Sequence, residues 1–126
     1  MAKRFTREEI KQRFQASIDA GQPIVIASAG IGIAAKFAER GGADMIGLLN
    51  SSYLGLGRVE ATSLMPYGNA NDIVMSLGDR IFPVVQNTPI LGGIIGSDPT
   101  REMTPFLKIM QFKGFPAVIN FPSPGF

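Results

Sequence analysis

The sequence predicts an α/β protein in which four strand-helix units follow a leading helix and build a parallel sheet. Short continuous apolar runs recur near 24–28, 45–49, 89–95 and 117–120. They lack the alternation of a strand that is wet on one face, which is the pattern of parallel strands covered on both. Between them lie segments with apolar residues at three- and four-residue spacing, closed by Gly or Pro.

Thr6 and Glu9 form a capping-box pair, so the leading helix is expected over about 6–20, ending at Gly21. Pro23 then opens the first strand, whose core is Ile24-Val25-Ile26-Ala27. After Ser28-Ala29-Gly30-Ile31-Gly32, the segment from Ile33 to Arg40 reads as a helix stopped by Gly41-Gly42. Met45 to Leu49 is the second strand. Asn71 is expected to cap a helix carrying Ile73, Val74, Leu77 and Ile81 on one face, ending near Pro83. Pro89 to Ile95 is the third strand, with Gly92 and Gly93 permitting close packing. Asp98-Pro99 is expected to open the last helix, with Pro at its first position. In that helix Met103, Phe106, Leu107 and Met110 form an apolar stripe that should pack on the sheet. Ala117 to Asn120 is the fourth strand.

Strands alternating with helices imply right-handed crossovers, which an open doubly wound sheet and a barrel share. A complete (βα)8 barrel takes ~250 residues, and this chain has 126. Four units, with the chain stopping just after a strand, favour a single partial-barrel domain over 1–126. Such a half-barrel exposes two sheet edges, so a homo-oligomer or a second half-barrel is the expected protein partner.

Composition narrows the chemistry. Hydrophobic residues make up 45% and charged residues 17%, as in a soluble globular domain. The apolar stretch from Ile24 to Ala35 is broken by Ser28 and two glycines and falls short of the ~20 residues of a membrane span, so no membrane partner is expected. The basic start contains Glu8 and Glu9 and no small-residue cleavage site follows, so a cytoplasmic location is expected. There is no Cys and no His, which removes disulfides, thiolate nucleophiles and the commonest metal ligand and general base. Lys3, Arg4, Arg7, Lys11 and Arg13 crowd the first thirteen positions. Phe5 alone lies among them, short of the repeated aromatic interleaving that a nucleic-acid surface would require. They read as the solvated face of a helix whose inner face is Ile10, Phe14 and Ile18, and no nucleic acid is expected.

Ligands of parallel α/β folds sit at the carboxyl ends of the strands. Here those ends read Ser28-Ala29-Gly30, Asn50-Ser51-Ser52, Gly96-Ser97-Asp98 and Asn120-Phe121-Pro122-Ser123. The long connection from Asn50 to Asn69 has the length of an active-site lid. Gly55 and Gly57 would serve as its hinges, and Arg58, Glu60, Tyr53 and Tyr67 would close on an anion. A short helix or extra strand packing the sheet is the other reading of this stretch. Gly30-Ile31-Gly32 resembles a dinucleotide fingerprint, but the acid that should hold the ribose is replaced by Asn50. Backbone N–H groups receiving a phosphate or carboxylate are the simpler role. Asp98 reads as a helix cap. The same carboxylate is a candidate cation ligand, and oxygen-only donors favour Mg²⁺ over Zn²⁺.

Pro66-Tyr67-Gly68-Asn69-Ala70-Asn71 and Asp98-Pro99-Thr100-Arg101 are not generic barrel features. With the segments 24–52, 83–103 and 114–125 they resemble the phosphoenolpyruvate-hydrolase-like family of TIM-barrel proteins, also described as phosphonopyruvase-like or as TIM-barrel signal-transduction proteins. The resemblance implies a lyase or hydrolase acting on a small phosphorylated or phosphono 2-oxo acid. An enolate would be stabilised by Mg²⁺ at Asp98 and by Asn50, Ser51 and Asn120, with Arg58 clamping the anion. It thereby implies Asp98 and Asn50 as catalytic residues, and Ser28, Gly30, Ser51, Arg58, Tyr67, Asn69 and Asn120 as residues binding the small anionic substrate. The alternative it implies is a non-catalytic ligand-binding or protein-interaction module in signal transduction or virus resistance.

Overall fold

The computed structural model describes residues 3–54 and 69–121, with backbone only at 53 and 54. Helix α1 spans Arg7–Asp19, and both halves of its capping box form: the Glu9 N–H donates to Thr6 Oγ1 at 3.2 Å and the Thr6 N–H to Glu9 Oε2 at 2.7 Å. Strand β1 is Ile26–Ser28, α2 Gly32–Arg40, β2 Met45–Leu48, α3 Ala70–Ile81, β3 Ile90–Ile94, α4 Met103–Lys113 and β4 Ala117–Asn120. A 3₁₀ turn, Asn50–Leu54, follows β2. At the end of α2, Gly42 adopts φ +86°, the left-handed conformation in which glycine carries no Cβ penalty.

The four strands are all parallel and lie in the order β1-β2-β3-β4. A doubly wound sheet reverses its strand order at a switch point, and no reversal occurs among these strands. Every crossover therefore runs the same way, and right-handed connections place α2, α3 and α4 on one face. Ile46, Leu48, Ile90 and Ile94 meet Val74, Leu77, Ile81, Phe106 and Met110 there in the main core. Gly92 lets α4 approach, because a Cβ at that position would stand 2.7 Å from Met110 Cε.

The opposite face carries Ile26, Met45, Gly47, Leu91, Gly93, Ala117 and Ile119, which share register positions along the sheet. Helix α1 covers only its amino-terminal end, where Ile10 packs with Met45 and Leu91 beside Phe5, Phe14 and Ala117. Asp44 fastens the end of α1 to the start of β1, accepting from Ser17 Oγ at 2.7 Å and the Val25 N–H at 2.8 Å. These two donors, the Ser17 hydroxyl first, hold its carboxyl below the ordinary range. The basic residues of this region are also structural. Arg4 donates to the carbonyls of Gln111 and Phe112, and Arg13 to those of Asn87 and Ala43, while Lys3 pairs with Glu9 and Lys11 with Glu8.

Three expectations need correction. The first strand is not covered on both faces: Ile24, Val25 and Ile26 are 40%, 48% and 47% exposed, because β1 is an edge strand with nothing beyond it among the described residues. Continuous burial holds for the central strands β2 and β3. The α3 cap is Asn69, not Asn71: Asn69 Oδ1 accepts from the N–H groups of Asn71 and Asp72. The last helix starts five residues after Asp98, with Glu102 at its N-cap, and within its stripe Phe106 and Met110 are buried whereas Leu107 is exposed. Leu107→Ala should therefore lower unfolding free energy in urea by less than ~1 kcal/mol, not the ~2–5 kcal/mol of a buried leucine.

Candidate functional site

The carboxyl ends of the strands gather the polar residues singled out above. At the end of β1, the hydroxyls of Ser28 and Ser52 hydrogen-bond to each other, joining the first strand end to the turn after β2. The neighbouring Ala29 N–H donates to the Gly47 carbonyl at 3.1 Å. Gly30 leads into α2, whose N-cap Ile31 offers no capping oxygen, so the first-turn N–H groups receive no side-chain cap. Asn50 is buried at the head of the 3₁₀ turn and Ser51 is half-buried beside it. Across β3, Asn120 Oδ1 accepts from the Gly96 N–H at 3.0 Å, tying the last strand end to the loop after β3.

The most heavily bonded polar cluster lies behind this row. Asn71 is fully buried in the first turn of α3. Its amide NH₂ donates to the Ile95 carbonyl at 3.2 Å and to Asp98 Oδ2 at 2.9 Å, and its oxygen accepts the Ile95 N–H at 2.8 Å. Asp98, with a side chain only 3% exposed, accepts twice more at Oδ1, from the Thr100 N–H at 2.9 Å and the Thr100 hydroxyl at 2.6 Å. Arg101 Nε donates to Asp98 Oδ2 at 2.7 Å, and its Nη2 reaches Asn69 Oδ1 at 3.2 Å and Asp72 Oδ1 at 2.9 Å. The guanidinium lies 4.7 Å from the Phe106 ring centroid, within cation–π range.

Asp98-Pro99 thus closes an Asx-type turn onto Thr100 and does not cap the helix. The Thr100 hydroxyl and N–H, followed by Asn71 and Arg101, hold the Asp98 carboxyl far below its ordinary range despite burial. Four donors occupy both oxygens, and a cation, Arg101, sits against one of them. A Mg²⁺ ion needs several open oxygen ligands. Among the described residues no three carboxylate, imidazole or thiol side chains cluster as a metal site. The residues here do not fit a Mg²⁺ ion at Asp98.

The expected site therefore divides. Ser28, Gly30, Asn50, Ser51 and Asn120 stand along the strand ends, while Asn69 and Asp98 belong to the buried cluster. Arg58 and Tyr67, and the reading of the 55–68 stretch as a lid, fall outside the described residues. Two central members of the cluster, Asn71 as its hub and Arg101, were not among the expected site residues. Asn71 could have been found: it lies in helical phase with Val74, Gly78 and Ile81, all buried. A polar residue on an otherwise buried stripe must find partners there.

The family described as phosphoenolpyruvate hydrolase-like matches residues 9–126. The tomato (Solanum lycopersicum) ToMV resistance protein Tm-1(GCR237) is 42% identical over 120 residues, covering 94% of this chain and 16% of that protein. The tomato ToMV susceptible protein tm-1(GCR26) is 42% identical over 117 residues, covering 92% and 16%. A Sinorhizobium fredii protein named for transcriptional regulation is 34% identical over 122 residues, covering 93% and 20%. The chain thus spans about a fifth or less of the length of each of these relatives. No helix among the described residues is long and apolar enough to cross a membrane.

Proposed function

The chain belongs to the phosphoenolpyruvate hydrolase-like family, and from that premise we propose that it supplies four consecutive units of a TIM-type barrel whose strand-end mouth receives a small phosphorylated or phosphono 2-oxo acid. The observation that carries the reading is the row of neutral hydrogen-bonding residues at the carboxyl ends of four consecutively ordered parallel strands. That is where barrels of this kind bind ligand.

Ser28 and Ser51 would donate hydroxyl protons to carboxylate or phosphate oxygens, and the first-turn N–H groups of α2 would add backbone donors at a helix N-terminus. Asn120 spends its carbonyl oxygen on Gly96, which leaves the amide NH₂ to donate. In this reading Asn50 would stabilise charge on an enolate oxygen in the same way. Asp98 remains ionised and enclosed by its donors, so we assign it the positioning of the α3 start against the loop after β3, and not proton transfer. Lyase or hydrolase activity would then draw its acid and base from outside the described residues, in a cytoplasmic protein with a completed barrel.

The second reading, a non-catalytic interaction module, is favoured by that same enclosure of Asp98 and by the names of the relatives. The resistance and susceptible proteins match this chain at the same 42% identity.

Titration calorimetry with phosphoenolpyruvate, and with pyruvate and inorganic phosphate as controls, tests the binding reading. Ser28→Ala should weaken phosphoenolpyruvate binding about tenfold, the worth of one hydrogen bond to a charged oxygen, with the melting temperature unchanged. Absence of millimolar binding by the parent chain, or equal binding by Ser28→Ala, would reject it and leave the interaction module.

A further inference from the structure

We propose that Arg101 is the resident cation of this strand-end region: its guanidinium holds the place among Asp98, Asn69 and Asp72 that a divalent ion takes in a metal-dependent site. The proposal concerns this cluster alone and does not depend on the ligand reading above.

Oxygens from separate side chains converge on one edge of the guanidinium. Asp98 Oδ2 lies 2.7 Å from Nε, and Asp72 Oδ1 and Asn69 Oδ1 lie 2.9 and 3.2 Å from Nη2. Both nitrogens are bonded to the same carbon, so these oxygens stand around one small volume. Two carboxylates and an amide oxygen are also the donor types that Mg²⁺, Ca²⁺ and Mn²⁺ select. Arg101 follows Asp98 in the loop after β3, while Asn69 and Asp72 belong to the start of α3. The packing that brings the acids together therefore brings a cation with them.

The surroundings suit a guanidinium better than a metal ion. The Phe106 ring lies 4.7 Å from the guanidinium carbon, and arginine is weakly hydrated and stacks on aromatic rings. A Mg²⁺ ion keeps several waters, for which the ring offers no acceptor. Asn71 donates to the same Asp98 Oδ2 at 2.9 Å, and Thr100 takes Oδ1 twice. The Asp98 side chain is 3% exposed, so water cannot carry its charge and a fixed counter-charge has to. Asp72 is 69% exposed, and its share of the pairing is screened by solvent. The guanidinium stays charged at any pH at which the chain folds. A divalent ion could reach Asp98 only by displacing it.

Removing the guanidinium should therefore open a cation site. Mn²⁺ is the probe, with the free ion counted by electron paramagnetic resonance beside the protein. The parent chain should bind no Mn²⁺ that Asp98→Asn removes. Arg101→Ala should bind about one Mn²⁺ per chain, at least about tenfold more tightly than the parent. Adding Asp98→Asn to it should abolish the gain, and Arg101→Lys, which keeps a positive charge, should show none. Mn²⁺ should also raise the melting temperature of Arg101→Ala and not that of the parent. A Mn²⁺ ion on the parent that Asp98→Asn removes, or a folded Arg101→Ala with no gain, would overturn the proposal. Should Arg101→Ala fail to fold, Arg101→Gln, which keeps a stem and a neutral donor, takes its place. Should neither fold, recovery of the far-ultraviolet circular dichroism on adding Mn²⁺ supports the proposal, and no recovery overturns it. Absence of phosphoenolpyruvate binding by the parent would reject the ligand reading and leave these cation results standing.

Discussion

Asn71→Ala should lower the unfolding free energy by about 4–6 kcal/mol, enough to remove much of the stability of an ordinary domain. Asn71 is completely buried, and its amide serves both backbone groups of Ile95 as well as Asp98. Alanine leaves a buried N–H and a buried carbonyl without their partner, each worth ~1–3 kcal/mol, and takes a donor from a buried carboxylate. A cavity adds to the loss. Asn71→Asp should be at least as damaging, because it sets a second carboxylate where an N–H donor now lies 2.9 Å from Asp98. Urea denaturation followed by circular dichroism measures both. A loss below ~1 kcal/mol for Asn71→Ala would show that the start of α3 is not anchored through this side chain.

Local signals carried most of the fold. The capping box at Thr6, the glycine stop after α2 and the apolar runs of β2 and β3 are each decided within a few residues, and the structure shows them as read. Position in the sheet is not a local property. The run Ile24 to Ala27 reads like a central strand, yet β1 is an edge, since its burial depends on what lies beside it and not on its own composition. The last helix misled for a related reason. Asp98-Pro99 is a good N-cap pair, but the carboxylate finds Thr100, Asn71 and Arg101 within reach, and a buried acid is better satisfied by four donors than by one helix end. Leu107 follows from that shift: the helix begins later, and the face it turns to the sheet carries Phe106 and Met110.

The site was legible as a row and not as a network. Small polar residues where apolar strands end are a sequence feature, so Ser28, Asn50, Ser51 and Asn120 could be placed at one mouth. The bonds joining Asn69 and Asn71, at the start of α3, to Asp98 and Arg101 span 27 to 32 residues of sequence. Each of these residues has a sufficient local explanation as a cap, a turn or a surface charge, and only the three-dimensional packing of α3 against the loop after β3 reveals their common use.

Asp98→Asn separates such a network from a helix cap. A cap would tolerate the change, because asparagine keeps an acceptor oxygen. Here one oxygen can still serve Thr100, but the new NH₂ faces Arg101 Nε and the Asn71 amide, both donors, and Arg101 keeps only its partners at Asn69 and Asp72. The variant should lose about 3–5 kcal/mol, as when one member of a buried ion pair is removed. The pH dependence provides a second signature. The folded carboxyl lies below its unfolded value, which is ~3.9, so the unfolded chain binds the proton more readily. The stabilisation is fully present above that value and falls away as pH drops through the folded pKa. The parent chain should therefore destabilise steeply below about pH 4, while Asp98→Asn, already weakened at neutral pH, should show a shallower acid slope. Urea midpoints between pH 7 and pH 3 test this. Parallel slopes for the two proteins, or an unchanged midpoint for the variant at pH 7, would return Asp98 to the role of a simple turn residue.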